Sequence, residues 1–111
     1  MNNNNKYYYY NININKFKEA LKPLSIIDKH QSISRIREYL ANALNLKYGL
    51  SIGIISEIMN RHPSTIYRIL DNYTNNIIHN QHIYDKVTAE INIYLKELNN
   101  IVWSNSQENE K

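Results

Sequence analysis

The sequence predicts an all-α fold, a small bundle of about five helices that contains a helix-turn-helix. Three observations predict it. Apolar residues recur at spacings of three and four over several stretches, the period of a helix with one buried face. Residues that end or restart helices, Gly49, Asn60 and Pro63, stand between those stretches. Residues 50–70 set two helical patterns a few residues apart, with polar and basic side chains at the start of the second.

Residues 1–14 form a low-complexity N-terminal arm: four Asn, Lys6, four Tyr, then an Asn-Ile alternation. It reads either as a basic-aromatic arm whose rings follow a nucleic acid, or as a polar tail or short strand that pairs with a second copy. The helical domain spans residues 15–103. Its first helix covers residues 15–24, with Phe17, Leu21 and Leu24 continuing a face from Ile14, and Asn15 as the cap. Lys16, Lys18 and Lys22 take the other sides, and Pro23 limits the length.

Residues 31–48 read as a longer helix, capped by Ser32 or Ser34 and ended by Gly49. Ile33, Ile36, Leu40, Ala43 and Leu44 make its apolar stripe, which Lys47 closes. Arg35, Arg37 and Glu38 are expected to point outward, where Arg35 or Arg37 could meet a phosphate or the minor groove.

Ser51 is a good N-cap for a helix from Ile52 to about Met59, with Ile55, Ile58 and Met59 on one face. Small Ser56 suits a close helix crossing. Asn60 tolerates the left-handed turn that follows. Pro63 fits a first helical turn, where its missing N–H is no loss. The second helix buries Ile66, Ile69, Leu70 and Tyr73, and leaves Ser64, Thr65, Tyr67, Arg68, Asp71 and Asn72 outward. It runs on to residue 77 or 78. His79 and His82 follow, too few donors for a metal site.

Residues 83–103 read as the last helix. Tyr84, Val87, Ile91, Tyr94, Leu98 and Ile101 form a heptad stripe, which serves either as a homodimer seam or as the inner face of the chain's own core. Residues 104–111 are a polar tail.

The residues from 39 to about 76 also carry a resemblance. Tyr39-Leu40-Ala41-Asn42-Ala43-Leu44, then Leu50-Ser51-Ile52-Gly53-Ile54-Ile55-Ser56, then Asn60-Arg61-His62-Pro63-Ser64-Thr65-Ile66 follow one another in the order of a known pattern. That stretch resembles the C-terminal DNA-binding domain of the bacterial chromosomal replication initiator, DnaA, in the layout of its short stand-alone relatives. It covers about a third of the chain. Arg61, Ser64 and Thr65 match the family's motif; its base-reading Asp-His pair is His62-Pro63 here. The resemblance therefore implies DNA binding without implying the initiator's own target sequence. Residues 61–70 are also similar to the helix-turn-helix of a group of insertion-sequence transposases, which implies DNA binding again.

Composition limits the alternatives. Asn, Ile, Tyr and Lys number 19, 18, 10 and 9, half of the 111 residues, which points to an AT-rich genome such as that of a phage, virus or plasmid. The chain has no cysteine, so thiolate metal sites and disulfides are excluded. No apolar run approaches the ~20 residues of a membrane span, and nothing reads as a signal peptide. A cytoplasmic protein, in a host cell if the genome is viral, is the expectation. Net charge is +3, but residues 1–50 carry eight basic and three acidic side chains, a balance of +5. Positive charge therefore lies on and upstream of the motif, where a phosphate backbone could use it. The two glycines form no phosphate-binding loop, and no nucleophile, acid cluster or metal motif stands out, so no enzyme, cofactor or metal is expected.

These readings converge on a protein that binds double-stranded DNA and regulates replication or transcription. Ser64, Thr65 and Arg68 would face base edges, with Arg61 and His62 at the groove edge or on phosphate, Arg35, Arg37 and Lys47 on the phosphates, and Tyr67 and Asn72 as further DNA-binding residues. The other function class is a small dimeric protein-interaction, adaptor or virion protein without DNA binding, built on the stripe of residues 84–101.

Overall fold

The computed structural model describes residues 12–25 and 31–109. In chain order they form α1 (Ile14–Ala20), α2 (Lys22–Ser25), α3 (Gln31–Leu46), α4 (Ile52–Met59), α5 (Pro63–His79), a 3-10 helix (Gln81–Val87) and α6 (Thr88–Asn109). No strand occurs among the described residues, and none of their helices is long and apolar enough to cross a membrane. The fold is all-α, as expected, with α3 at its centre. Helix α3 packs on α4, α5, the 3-10 helix and α6, while α1 lies against α4 and α6.

Most of the elements share one core. Phe17, Leu21, Leu24, Leu40, Leu44, Ile55, Ile58, Met59, Ile66 and Leu98 are fully buried. Each contributes about 1.5–3 kcal/mol over an exposed position. Phe17 meets the ring of Tyr48 edge-on, centroids 5.4 Å apart, which pins α1 to the end of α3. Gly49 there has φ 72°, the left-handed turn that a C-terminal glycine permits. Leu50 N–H can then return to the Leu44 carbonyl at 2.9 Å.

Several expected boundaries move. The first cap is Asn13, whose side chain accepts from Lys16 N–H; Asn15 lies inside the helix. Ile12 and Ile14 pack against the core, so the expected arm of residues 1–14 is shorter; its residues 1–11 lie outside those described. The single helix expected over residues 15–24 breaks at Leu21. Pro23 supplies the reason: in an unbroken helix its ring would clash with the carbonyl of Glu19. Ser32 and Ser34 sit within α3 and do not cap it.

The last helix begins as a 3-10 turn and enters α6 only at Thr88. Tyr84 and Val87, three apart, fall on one side of a 3-10 helix, so the stripe survives the change of geometry. Helix α6 reaches Asn109, so much of the expected polar tail of residues 104–111 is helical backbone. The stripe itself belongs to the core. Tyr84, Val87, Ile91 and Leu98 are buried, and Tyr94 and Ile101 pack partly buried against the same cluster. Those six side chains are therefore not a free seam for a second copy.

The outward placing of Arg37 and Glu38 is also corrected, since both are only 7% exposed. Arg37 Nε donates to the Leu24 carbonyl at 3.0 Å, across α2. Arg35 Nη1 holds both oxygens of Glu38 at 2.8 Å. A helical wheel assigns polar residues to water, but here α2 and the 3-10 helix cover that side of α3.

Candidate nucleic-acid interface

Helix α4, a three-residue connection and α5 form the centre of the candidate site. Ser51, in extended backbone, caps α4 by accepting from Ile54 N–H at 3.3 Å. Asn60 ends α4 at φ 54°. Its N–H reaches the Glu57 carbonyl at 3.3 Å, and Arg61 N–H reaches that of Ser56 at 3.0 Å. This paired closure satisfies carbonyls that the helix end would leave open. The hydroxyl of half-buried Ser56 donates to the Gly53 carbonyl at 2.7 Å.

The chain then restarts on His62. Its Nδ1 accepts from Ser64 N–H at 3.1 Å and lies 2.8 Å from the Ser64 hydroxyl. An imidazole nitrogen that accepts from an amide carries no proton, so the His62 proton sits on Nε2. Pro63 takes the first helical position. The tight restart puts Ile66, fully buried, against the core. One step round the helix, Tyr67 is 65% exposed. Ser64, Arg68, Asp71 and Asn72 are exposed with it, while Thr65 is half-buried at the edge of that face. Arg68 has no hydrogen bond or ion pair among the described residues, so its guanidinium donors face water.

The other expected contacts divide. Lys47 is exposed, its ammonium 5.6 Å from the centre of the Tyr48 ring. Arg61 is half-buried, and its Nη1 donates to the carbonyls of Ser25, Met59 and Asn60 at 2.8, 3.2 and 3.1 Å. That guanidinium holds the turn to the end of α2. Arg37, expected at a phosphate, is buried and donates to the Leu24 carbonyl. Arg35 is half-buried and paired with Glu38.

Behind α5, a buried polar network sets how that helix sits on α3. Tyr84 Oη donates to Glu38 Oε1 at 2.9 Å, and Asn76 Nδ2 approaches the same oxygen at 3.4 Å. The rings of Tyr39, Tyr73 and Tyr84, one each from α3, α5 and the 3-10 helix, meet with centroids 5.4–6.3 Å apart. Burial pushes the Tyr84 hydroxyl up to about 12; the Asn76 contact opposes this and the Glu38 carboxylate adds to it. Burial, and then Tyr39, raises Tyr73 in the same direction. The period of the sequence could not reveal this network, because its members lie up to 46 residues apart.

Two hollows flank these elements. An open groove of about 840 Å³ runs between α1–α2 and α4, with Lys18, Lys22, Glu19 and Glu57 on its walls. Its charges are mixed, and Lys18 already pairs with Glu57 at 3.8 Å in solvent. A smaller cavity of about 210 Å³ lies between the start of α3 and the 3-10 helix. No group of three or more His, Cys, Asp or Glu able to hold a metal occurs among the described residues. No family model, no curated protein and no solved structure matches this chain.

Proposed function

We propose that this protein binds double-stranded DNA, with α5 as the element that enters the major groove. One observation carries the reading. A helix restarted by His62 and Pro63 is anchored by buried Ile66 while it offers Tyr67, Arg68 and Asn72 to solvent on its first turns. Tyr67 is 65% exposed, and Arg68, five residues past Pro63, has no hydrogen bond or ion pair among the described residues. Such a face suits base edges and phosphates together. The resemblance of residues 39–76 to the initiator's DNA-binding domain supports the same reading.

The mechanism is occupancy. The protein takes a site and so controls replication or transcription on a phage, viral or plasmid genome. Fluorescence anisotropy on random-sequence duplex DNA across a salt series tests it. Affinity that falls steeply with salt, and that weakens in Arg68→Ala and Tyr67→Ala, is the expected result. No binding at low salt would sink it.

A second reading, a protein-contact module without DNA binding, draws on a different observation. Ile93 and Trp103 on α6 are 67% and 63% exposed. Under that reading they, rather than the buried stripe, would meet the partner.

A further inference from the structure

The cavity of about 210 Å³ between α3 and the 3-10 helix has an unusual wall. Arg35 and Lys86 supply two cations, His82 an imidazole and Ser32 a hydroxyl, over a floor of Ile83 and Val87. Among the described residues no carboxylate lines it. Glu38, the partner of Arg35, is already committed to Arg35 Nη1, Tyr84 and Asn76. Asp85 lines a separate hollow with Tyr39 and Ile77. Arg35 Nη1 is paired with Glu38, and its Nε is buried with no hydrogen-bond partner among the described residues. Ile83 and Val87 screen one side of these polar groups from water, while Ser32, His82 and Lys86 remain exposed. The volume equals about seven waters at ~30 Å³ each, room for a small oxyanion with the group it is attached to.

We propose that this cavity is a phosphate-binding site, held by Arg35, His82, Lys86 and Ser32. Cationic nitrogens and a hydroxyl around a dry floor match the oxygens of a phosphate ester. The phosphate comes either from a DNA backbone or from a free phosphate. His82 and Lys86 lie beyond residues 39–76, so the site does not follow from the resemblance there. Its DNA form rests on the function proposed above; its free-phosphate form does not.

The test uses the full chain and the double variant His82→Gln, Lys86→Gln. Both side chains are exposed, and overlaid thermal melts check that the variant folds. Arg35 stays, because removing it would strand Glu38. Two probes are titrated: inorganic phosphate, followed by the backbone amide NMR signals of residues 82–86, and a random-sequence duplex, followed by anisotropy across salt. With a DNA phosphate seated there, the double variant loses about one unit from the slope of log affinity against log salt. Phosphate-induced shifts at residues 82–86, abolished in the variant but without duplex binding, would keep the site for a free phosphate and overturn only the DNA reading. Duplex binding with an unchanged slope, and no phosphate shifts, would overturn the site and leave the DNA reading standing. Neither response would overturn both.

Discussion

Tyr84 Oη donates to Glu38 Oε1 at 2.9 Å, joining the 3-10 helix to α3 at an oxygen that Asn76 of α5 also approaches. Glu38 is buried, and its carboxylate is met by that hydroxyl and by Arg35. A hydrogen bond to a charged group is worth about 1.5–3 kcal/mol. Tyr84→Phe is therefore expected to lower the unfolding free energy by that amount in urea melts. A loss below about 0.5 kcal/mol would show that water replaces the phenol there.

The same phenol sets an alkaline limit. Its folded value, about 12, lies above the ordinary 10 of an unfolded tyrosine, so the folded protein holds the proton more tightly. That stabilisation is complete below pH 10 and is lost as pH rises through 12. At about 1.36 kcal/mol per unit, and with solvent screening discounting the shift, the loss is at most on the order of 3 kcal/mol. Tyr73 and Tyr94, also raised by burial, add to it in the same direction. Melts from pH 9 to 12 should show the decline, and Tyr84→Phe should flatten it.

Glu38→Ala is the most damaging single change expected. It leaves the half-buried Arg35 cation without its partner and two donors, on Tyr84 and Asn76, unpaired. Breaking such a pair costs about 3–5 kcal/mol. Denaturant melts of the variant, with circular dichroism as the check on helix content, measure it.

Removing the imidazole in His62→Ala should cost about 1 kcal/mol, the usual worth of a helix N-cap. His62→Asp should restore most of it, since a carboxylate accepts from the same amide and suits the positive helix start. If the Ala and Asp variants melt alike, the cap contributes nothing.

Arg68→Ala and Tyr67→Ala should change stability by no more than about 0.5 kcal/mol, because both side chains are exposed. Against a preferred duplex, Arg68→Ala should still weaken binding by about 1–3 kcal/mol. An equal loss on every duplex sequence would make Arg68 a phosphate contact.

Local chemistry was the legible part of this chain. Ser51 caps α4, Asn60 turns left-handed, Gly49 ends the α3 segment and Pro63 opens α5, all as their residue types suggest. Each of those outcomes depends on neighbours within a few residues. What the pattern could not carry was the fate of the arginines. Arg37 and Arg61 take carbonyls 13 and 36 residues away. A helical wheel sees only that they lie off the apolar stripe. Likewise the stripe of Tyr84 to Ile101 fitted a seam and a core equally well, and only the packing of α1 and α3 against α6 decided between them.

Helix α2 is four residues long, too short to persist alone in water. The carbonyls of Leu24 and Ser25 at its end are claimed by two guanidiniums that arrive from different parts of the chain, Arg37 on α3 and Arg61 after α4. Its anchors, those two guanidiniums and the burial of Leu24, all belong to tertiary packing, so the turn is expected to last only while that packing does. Deuterium exchange of its amides would then report whether the α4 turn is closed onto the rest of the bundle.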